Sequence, residues 1–295
     1  MGPELTRRAD ALSAERVPFV VATVVRAQRP TSVRAGDSAI VLGDGTIEGF
    51  VGGACAETSV RLHALRVLET GEPLLLKIVP EGGEAATEEG AVVERNPCLS
   101  GGALELFLEP RVPAPRIAVV GETPIGFALA RVGEEVGFDV EVGASGPELG
   151  DQVALVVASH GREEDAALAA ALTARVPYVG LVASRRRGEA VIESLRQAGV
   201  GEEDLGRLHT PAGLAIGAET PAEIALSILA EIVAERQSPR AEEAATAVDP
   251  VCGMTVAISA ATPSADLDGR RFWFCGDGCR EAFEADPSRY AAGAR

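Results

Sequence analysis

Hydrophobic positions fall into three patterns along the chain. In the first hundred residues short apolar, β-branched runs dominate. Residues 19–25, 38–42, 73–79 and 104–108 read as strands, and Gly43-Asp44-Gly45 ahead of Ile47 signals a hairpin turn. Residues 4–17 predict an opening helix. Val60, Leu62, Ala64, Leu65 and Leu68 recur at helical spacing, which predicts a second helix from Cys55 to about Glu69. The Gly/Glu-rich stretch 80–97 breaks this pattern and reads as a mobile surface loop, and Pro110, Pro113 and Pro115 mark a boundary near residue 112.

From Arg116 onward short apolar runs alternate with helical stretches. Strands are predicted at 117–120, 139–142, 153–159 and 178–184, with helices ending near Val136 and starting at Glu163 and Gly188. Repeated strand and helix of this kind predicts a parallel sheet covered by helices, a Rossmann-like domain. Its last helix is well specified: Thr220 is an N-cap, Pro221 takes the first turn and Glu223 completes a capping box. Ile224, Ile228, Leu229, Ile232 and Val233 form its core face. Residues 237–248 are polar and alanine-rich and read as a linker. The fold class is therefore α/β: an N-terminal α+β domain over 1–112, a Rossmann-like domain over 113–236, the linker, and a small cysteine-containing module over 249–295.

Composition narrows the setting. With 295 residues and 46% hydrophobic content, the chain is long enough for two or three globular domains. Five cysteines, an odd and sparse number, fit a reducing cytoplasm without disulfide staples. The first residues lack a signal-peptide core and no run of about 18 apolar residues occurs, so neither a leader nor a membrane span is expected. A net charge of −17 argues against a nucleic-acid partner, whose binding needs a basic face. Against that background Arg185-Arg186-Arg187 is a local basic cluster, either an anion site or a solvated helix start. A homodimer is the default expectation for a soluble oligomer.

Candidate chemistry gathers at glycines and cysteines. Residues 49–57 and 96–105 each set a thiol beside a Gly-Gly pair: Gly52 and Gly53 with Cys55, and Gly101 and Gly102 with Cys98. Missing side chains let backbone N–H groups approach a ligand closely. A cysteine on the first turn of a helix faces the positive end of its dipole, which favours thiolate. Against this stands a small apolar cysteine that merely fills a core gap. In the Rossmann-like domain, Gly121 and Gly126 bracket a strand-to-helix turn, where ligands of parallel α/β sheets bind. Thr123 replaces the central glycine of a dinucleotide fingerprint, and no acidic residue ends the strand 139–142, so ordinary NAD binding is disfavoured. His160, Ser184 and Arg185 end the next strands at the same edge. In the last module Cys252, Cys275 and Cys279 can converge on one soft metal ion, with Met254 or a carboxylate such as Asp277 as further donor. Phe272, Trp273, Phe274, Phe283 and Tyr290 supply its small core.

Taken together, the segments ATVVRA, GGACAE, PCLSGG, VVASHGREEDAAL, GLVASRRR and PAGLAIGAETPAEIALSILAEI resemble the XdhC/CoxI family over roughly residues 5–236, most specifically from Thr210 to Glu231. These are accessory proteins for maturation of xanthine dehydrogenase and aerobic carbon monoxide dehydrogenase. Residues 249 onward resemble a YHS domain, a module associated with metal handling. The resemblance implies a factor, itself without turnover or only weakly enzymatic, that binds the molybdenum cofactor as molybdopterin or a dinucleotide form. It protects or sulfurates the cofactor and hands it to an apo molybdenum hydroxylase, with a cysteine desulfurase as a further partner. Gly52, Gly53, Cys55 and Glu57 match the family's first glycine-cysteine motif and Cys98, Gly101 and Gly102 its second. The turn Gln28-Arg29-Pro30-Thr31-Ser32 stands where the family has Gly-Ser-Ser/Thr-Pro-Arg. The cofactor is expected between the first two domains, and a soft ion, Cu(I) or zinc, at the third. Two other classes remain open at this point: an NAD(P)-linked oxidoreductase built on the Rossmann-like domain, and a soft-metal chaperone or sensor led by the YHS-like module.

Overall fold

In a computed structural model of the chain, the described residues are 1–80, 91–96, 102–144, 152–159, 163–236 and 245–291. They form two compact units. One joins Met1–Pro113 to Ala241–Arg295, and the other spans Ala114–Arg240. The last module thus belongs to the same unit as the first domain.

The first domain runs α1 (Pro3–Ala14), β1 (Phe19–Gln28), β2 (Ser38–Leu42), β3 (Ile47–Gly49), α2 (Ala54–Thr70), β4 (Leu74–Pro80), β5 (Ala91–Asn96) and β6 (Ala103–Arg111). Its six strands form one sheet in the order β3-β2-β1-β6-β4-β5, antiparallel except for the parallel pair β4 and β5. Side chains alternate across this sheet as the strand period requires. Val20, Ala22, Val24, Ala39 and Val41 face α2, through Val60, Ala64 and Val67. Phe19, Val21, Ile40 and Leu42 face α1, through Leu12. Both faces of β2 are covered, so four of its five residues are buried. The predicted hairpin lies between β2 and β3, where Asp44 accepts from the Thr46 N–H at 2.8 Å and Gly45 takes φ +85°. The stretch read as a mobile loop contains a strand instead: Val92 and Val93 lie in β5, aligned with Leu76 and Lys77 of β4. Polar flanks had masked this short apolar run.

The second unit runs β7 (Arg116–Val120), α3 (Pro124–Glu135), β8 (Asp139–Val142), β9 (Gln152–Val157), α4 (Glu163–Thr173), β10 (Tyr178–Leu181), α5 (Arg185–Gln197), α6 (Glu202–Leu205), β11 (Leu208–His209) and α7 (Pro221–Arg236). The sheet is parallel, ordered β11-β10-β9-β7-β8. Numbered from its own first strand this is 2-1-3-4-5, with the topological switch point between β7 and β9. Ile117, Val119, Ala154, Val156 and Tyr178 pack under α3 and α7, while Ala118, Val120, Leu155, Val157 and Leu181 pack under α4 and α5. Covered on both faces, the strands read as continuous apolar runs. The capping box of α7 is in place: Glu223 accepts from the backbone N–H groups of Thr220 and Glu219, each at 2.9 Å, and its own N–H donates to Thr220 Oγ1 at 3.3 Å. Ile228, Leu229 and Ile232 are buried as expected. Val233 is 37% exposed, and Ala225 and Ser227 take the buried positions beside them.

The last module runs β12 (Thr246–Val248), β13 (Thr255–Ala257), β14 (Ser264–Leu267), β15 (Arg270–Trp273), α8 (Asp277–Ala285) and α9 (Pro287–Ala291), with β12 paired to β13 and β14 to β15. Residues 246–248, read as the end of the linker, are a strand, because Val248 pairs with Thr255 across the Cys252 turn. Phe272, Phe274 and Phe283 form the core with Tyr290 beside them, as the aromatic content predicts, whereas Trp273 turns to the cysteines. The module docks on the first domain along α2 and the β2–β3 turn. Ala257 packs on Leu62 and Leu65, and the Ala261 N–H donates to the Asp44 carbonyl at 3.3 Å.

Candidate functional site

The first glycine-cysteine cluster forms the start of α2. Gly52 adopts φ +138°, a region that L side chains rarely enter, and a Cβ there would lie 2.8 Å from Ala56 Cβ. Gly53 is the helix N-cap in an ordinary extended conformation and no side chain caps it. A Cβ on Gly53 would meet only open space. Across from it, Gly102 brings the start of β6 against the chain leaving β1: a Cβ would fall on the Pro30 carbonyl oxygen and within 2.8 Å of that of Gln28. These parts enclose a cavity of about 500 Å³ lined by Gly52, Gly53 and Cys55 of the helix start, Pro30, Thr31 and Ser32 of the altered turn, Ile78 and Pro80 of β4, and Gly102 and Leu104 of β6. Its size lies in the range of small-molecule sites. Apolar walls face a helix N-terminus whose first N–H groups favour an anion.

Four sequence-predicted residues, Gly52, Gly53, Cys55 and Gly102, therefore share one cavity inside the first unit. Glu57 lies on the same first turn of α2, outside the cavity lining and near the half-buried Arg61. Cys98, Gly101 and His160 lie outside the described residues.

In the second unit the structure gives Gly121 and Gly126 a packing role. Gly121 has φ +109°, and a Cβ on it would stand 2.6 Å from Ser159 Cβ; one on Gly126 would stand 2.8 Å from the Gly121 carbonyl oxygen. Thr123 caps α3, accepting from the Gly126 N–H at 3.2 Å. The helix terminus that a pyrophosphate would need is thus already engaged. Ser184 is the N-cap of α5, and Arg185 is exposed. The arginine that reaches the sheet edge is Arg187, which donates to Ser159 O at 3.1 Å and forms an ion pair with both carboxylate oxygens of Glu164. Sequence reasoning passed over Glu164, whose burial beside a charge no periodicity reveals. It also passed over Glu231, which accepts from Tyr178 Oη at 2.6 Å and from the Gly213 N–H at 2.8 Å while His209 stacks on the Tyr178 ring. Burial and that carboxylate push the Tyr178 hydroxyl pKa up.

The three cysteines of the last module come together. Cys252 Sγ is 3.6 Å from Cys275 Sγ, which is 3.5 Å from Cys279 Sγ. Asp249 joins them, and one ligand atom from each of the four lies within 4.8 Å of the others, a group able to hold a metal ion. Neither carboxylate-bearing Asp277 nor Met254 fills this place. Asp277 pairs with Arg280 at the surface, and Met254 packs among the thiols as buried apolar surface. Asp249 is fully buried and organises the turns around it, accepting from the N–H groups of Val251 (2.8 Å) and Cys275 (2.8 Å). Hydrogen bonding with Cys275 holds the Cys252 thiol below its ordinary range. Cys275 is pushed up by that bond and by its contact with Cys55, and burial pushes Cys279 up to about 12. Cys55, expected to serve the cavity alone, therefore also touches this cluster.

A second cavity of about 530 Å³ lies between α2, β5 and the Cys252 turn. Its wall includes His63, which is 5% exposed and bonded through Nε2 to Glu94 Oε2 at 2.7 Å; Ser59 Oγ donates to the other oxygen of that carboxylate at 2.9 Å. No sequence signal marks His63, which sits on the apolar face of its helix.

The architecture defines a two-unit α/β protein: a parallel doubly wound sheet in one unit, and in the other a six-stranded sheet with a cavity at a cysteine-bearing helix start and a thiol cluster beside it. Residues 12–78 match the XdhC and CoxI family, residues 117–232 the XdhC Rossmann domain and residues 247–294 the YHS domain. The chain belongs to the XdhC and CoxI family and carries a YHS domain. It is 31% identical over 249 residues to the uncharacterized protein YqeB of Escherichia coli K12, covering 75% of this chain and 44% of that protein. To a probable xanthine dehydrogenase subunit of Bacillus subtilis 168 it is 28% identical over 159 residues, covering 45% of this chain and 46% of that one. The chain spans less than half the length of these two curated relatives. A crystal structure of a xanthine dehydrogenase from Bacillus halodurans aligns with 79% of this chain and 96% of its own at 16% identity and a TM-score of 0.39. Among the described residues no helix is long and apolar enough to cross a membrane.

Proposed function

We propose that this protein is a maturation factor that holds the molybdenum cofactor in the cavity at the start of α2 and delivers it to an apo molybdenum hydroxylase of the xanthine or carbon monoxide dehydrogenase type. The observation that carries the reading is the meeting of Gly52, Gly53, Cys55 and Gly102, from two motifs about fifty residues apart, on one cavity. The residues fit the group. Pro30, Ile78, Pro80 and Leu104 offer flat apolar surface to a pterin, and the α2 N-terminus, uncapped by any side chain, offers backbone N–H groups to its phosphate. Cys55 offers a soft sulfur to molybdenum. When bound, the cofactor brings the redox chemistry that the hydroxylase uses; the chain binds it, orients it and shields it from water. The family and the name of the Bacillus subtilis relative support this reading. Protection, sulfuration with a cysteine desulfurase, insertion, and a cytoplasmic, homodimeric setting belong to the same proposal. Thr123, already bonded to Gly126, weighs against the NAD(P)-linked alternative.

The test is to purify the full chain from cells competent in molybdenum-cofactor synthesis and assay molybdenum and the oxidised, fluorescent pterin. Both are expected in the wild type and reduced in Cys55→Ser. Absence of pterin from the wild type, with no uptake when cofactor is offered, overturns the reading.

A further inference from the structure

The thiols of the YHS domain lack one corner of a closed site. Four thiolates around a zinc ion at about 2.3 Å stand about 3.8 Å apart. The Cys252–Cys275 and Cys275–Cys279 separations of 3.6 and 3.5 Å already approximate two edges of that tetrahedron. Asp249 is near enough to be a fourth donor, but both its oxygens are engaged by backbone N–H groups, one of them by Cys252 as well as Val251. Its role is to clamp the Cys252 turn to the Cys275 turn. Among the described residues the remaining thiol is Cys55. It stands outside the group of ligand atoms that already converge and packs at its edge, in the same cluster as Met254, Cys275 and Cys279. Its approach is fixed by the helix that carries it. Thr58, one turn further along α2, hydrogen-bonds the Cys275 carbonyl at 2.5 Å, and Gly276 leaves room for Ala54, whose Cβ would stand 3.3 Å from a Cβ there.

We propose that Cys55, Cys252, Cys275 and Cys279 form one tetrahedral thiolate site for a divalent d¹⁰ cation, Zn²⁺ in the first instance, shared between the first domain and the YHS domain. The ion displaces the thiol protons to solvent and fastens the YHS domain to the start of α2. A fourth thiolate favours Zn²⁺ over Cu(I). Cys55 also lines the cavity of the cofactor reading, and cation binding in the absence of cofactor tests this site separately.

The experiment titrates the reduced, chelator-stripped full chain with Co²⁺ as an optical probe and then with Zn²⁺ against a chromophoric chelator. One Co²⁺ per chain is expected, with the visible bands of tetrahedral coordination and a sulfur-to-cobalt charge-transfer band. Cys55→Ser should lose about a quarter of the charge-transfer intensity, one ligand of four. Its Zn²⁺ affinity should fall by at least the roughly tenfold that loss of even an outer-shell partner costs. In the wild type, Zn²⁺ should protect Cys55 from iodoacetamide together with Cys252 and Cys279, read by mass spectrometry; this holds whether or not the variant folds. An unchanged band and affinity in Cys55→Ser, Cys55 alkylated at full rate while the other thiols are protected, or no stoichiometric Co²⁺ binding by the wild type would each overturn the proposal. Loss of cofactor from Cys55→Ser with unchanged Co²⁺ binding would overturn it too, while supporting the cavity reading.

Discussion

Thr58 on α2 places its hydroxyl 2.5 Å from the carbonyl oxygen of Cys275 and 2.9 Å from that of Ala54 one turn back, so one proton is shared between a helix and the thiol turn of another domain. Thr58→Val keeps the shape and removes the donor. A buried carbonyl left without this partner costs about 1 to 3 kcal/mol. The expected result is a lower urea midpoint for the first unit and faster amide exchange in the Cys275 turn.

Gly53 and Gly102 face the same cavity for different reasons, and alanine separates them. At Gly102 a Cβ meets backbone that cannot yield, so Gly102→Ala should destabilise the protein by about 1 to 3 kcal/mol. At Gly53 there is open space and an ordinary φ of −76°, so Gly53→Ala should cost only the loss of a favoured N-cap residue, about 1 kcal/mol or less, while reducing bound pterin, because its methyl occupies room beside the cavity.

In the second unit Glu164 is almost wholly buried, its carboxylate side chain 3% exposed, beside Arg187. Arg187→Ala leaves a buried carboxylate without its guanidinium, a change that costs about 3 kcal/mol. Replacing both residues with leucine should recover part of that loss. Urea unfolding of Arg187→Leu, Glu164→Leu and the double leucine variant, compared with the wild type as a double-mutant cycle, reads the coupling directly.

Glu223 gives a pH signature. The backbone N–H groups of Thr220 and Glu219 hold its carboxyl below the ordinary value of 4.5. A carboxyl whose folded pKa is depressed stabilises the native state above its unfolded pKa and loses that contribution as pH falls through the folded value. The wild type should therefore exceed Glu223→Gln in urea midpoint at neutral pH, and the gap should close below pH 4.5. A constant gap would show that the charge is not involved.

Strands and helices with strong periodicity are legible without coordinates: β2 matches its predicted bounds, and the α7 capping box is present as Thr220 and Glu223 require. β5 is hidden because its two valines are flanked by a Glu/Gly-rich run, and partner strands rather than composition decide such a segment. Gly52 and Gly102 are legible because each marks a conformation or a close approach that a side chain would forbid, whereas Gly53 is marked only by its place at the start of α2. Asp249, Glu164 and Glu231 are not, since their burial depends on N–H, guanidinium or hydroxyl partners distant in sequence. The sequence places Cys55 on a pocket but assigns it to that pocket alone. Only docking of the YHS domain on α2 brings Cys275 to it, and that contact is 220 residues apart along the chain.

One sulfur borders two compartments. A cation that draws Cys55 toward Cys275 takes that atom from the cavity wall, and a cargo that engages it weakens the cation's hold. By thermodynamic linkage each occupant must change the other's affinity by the same factor. Cellular zinc supply would then set how readily this chain accepts, and how readily it gives up, what it carries.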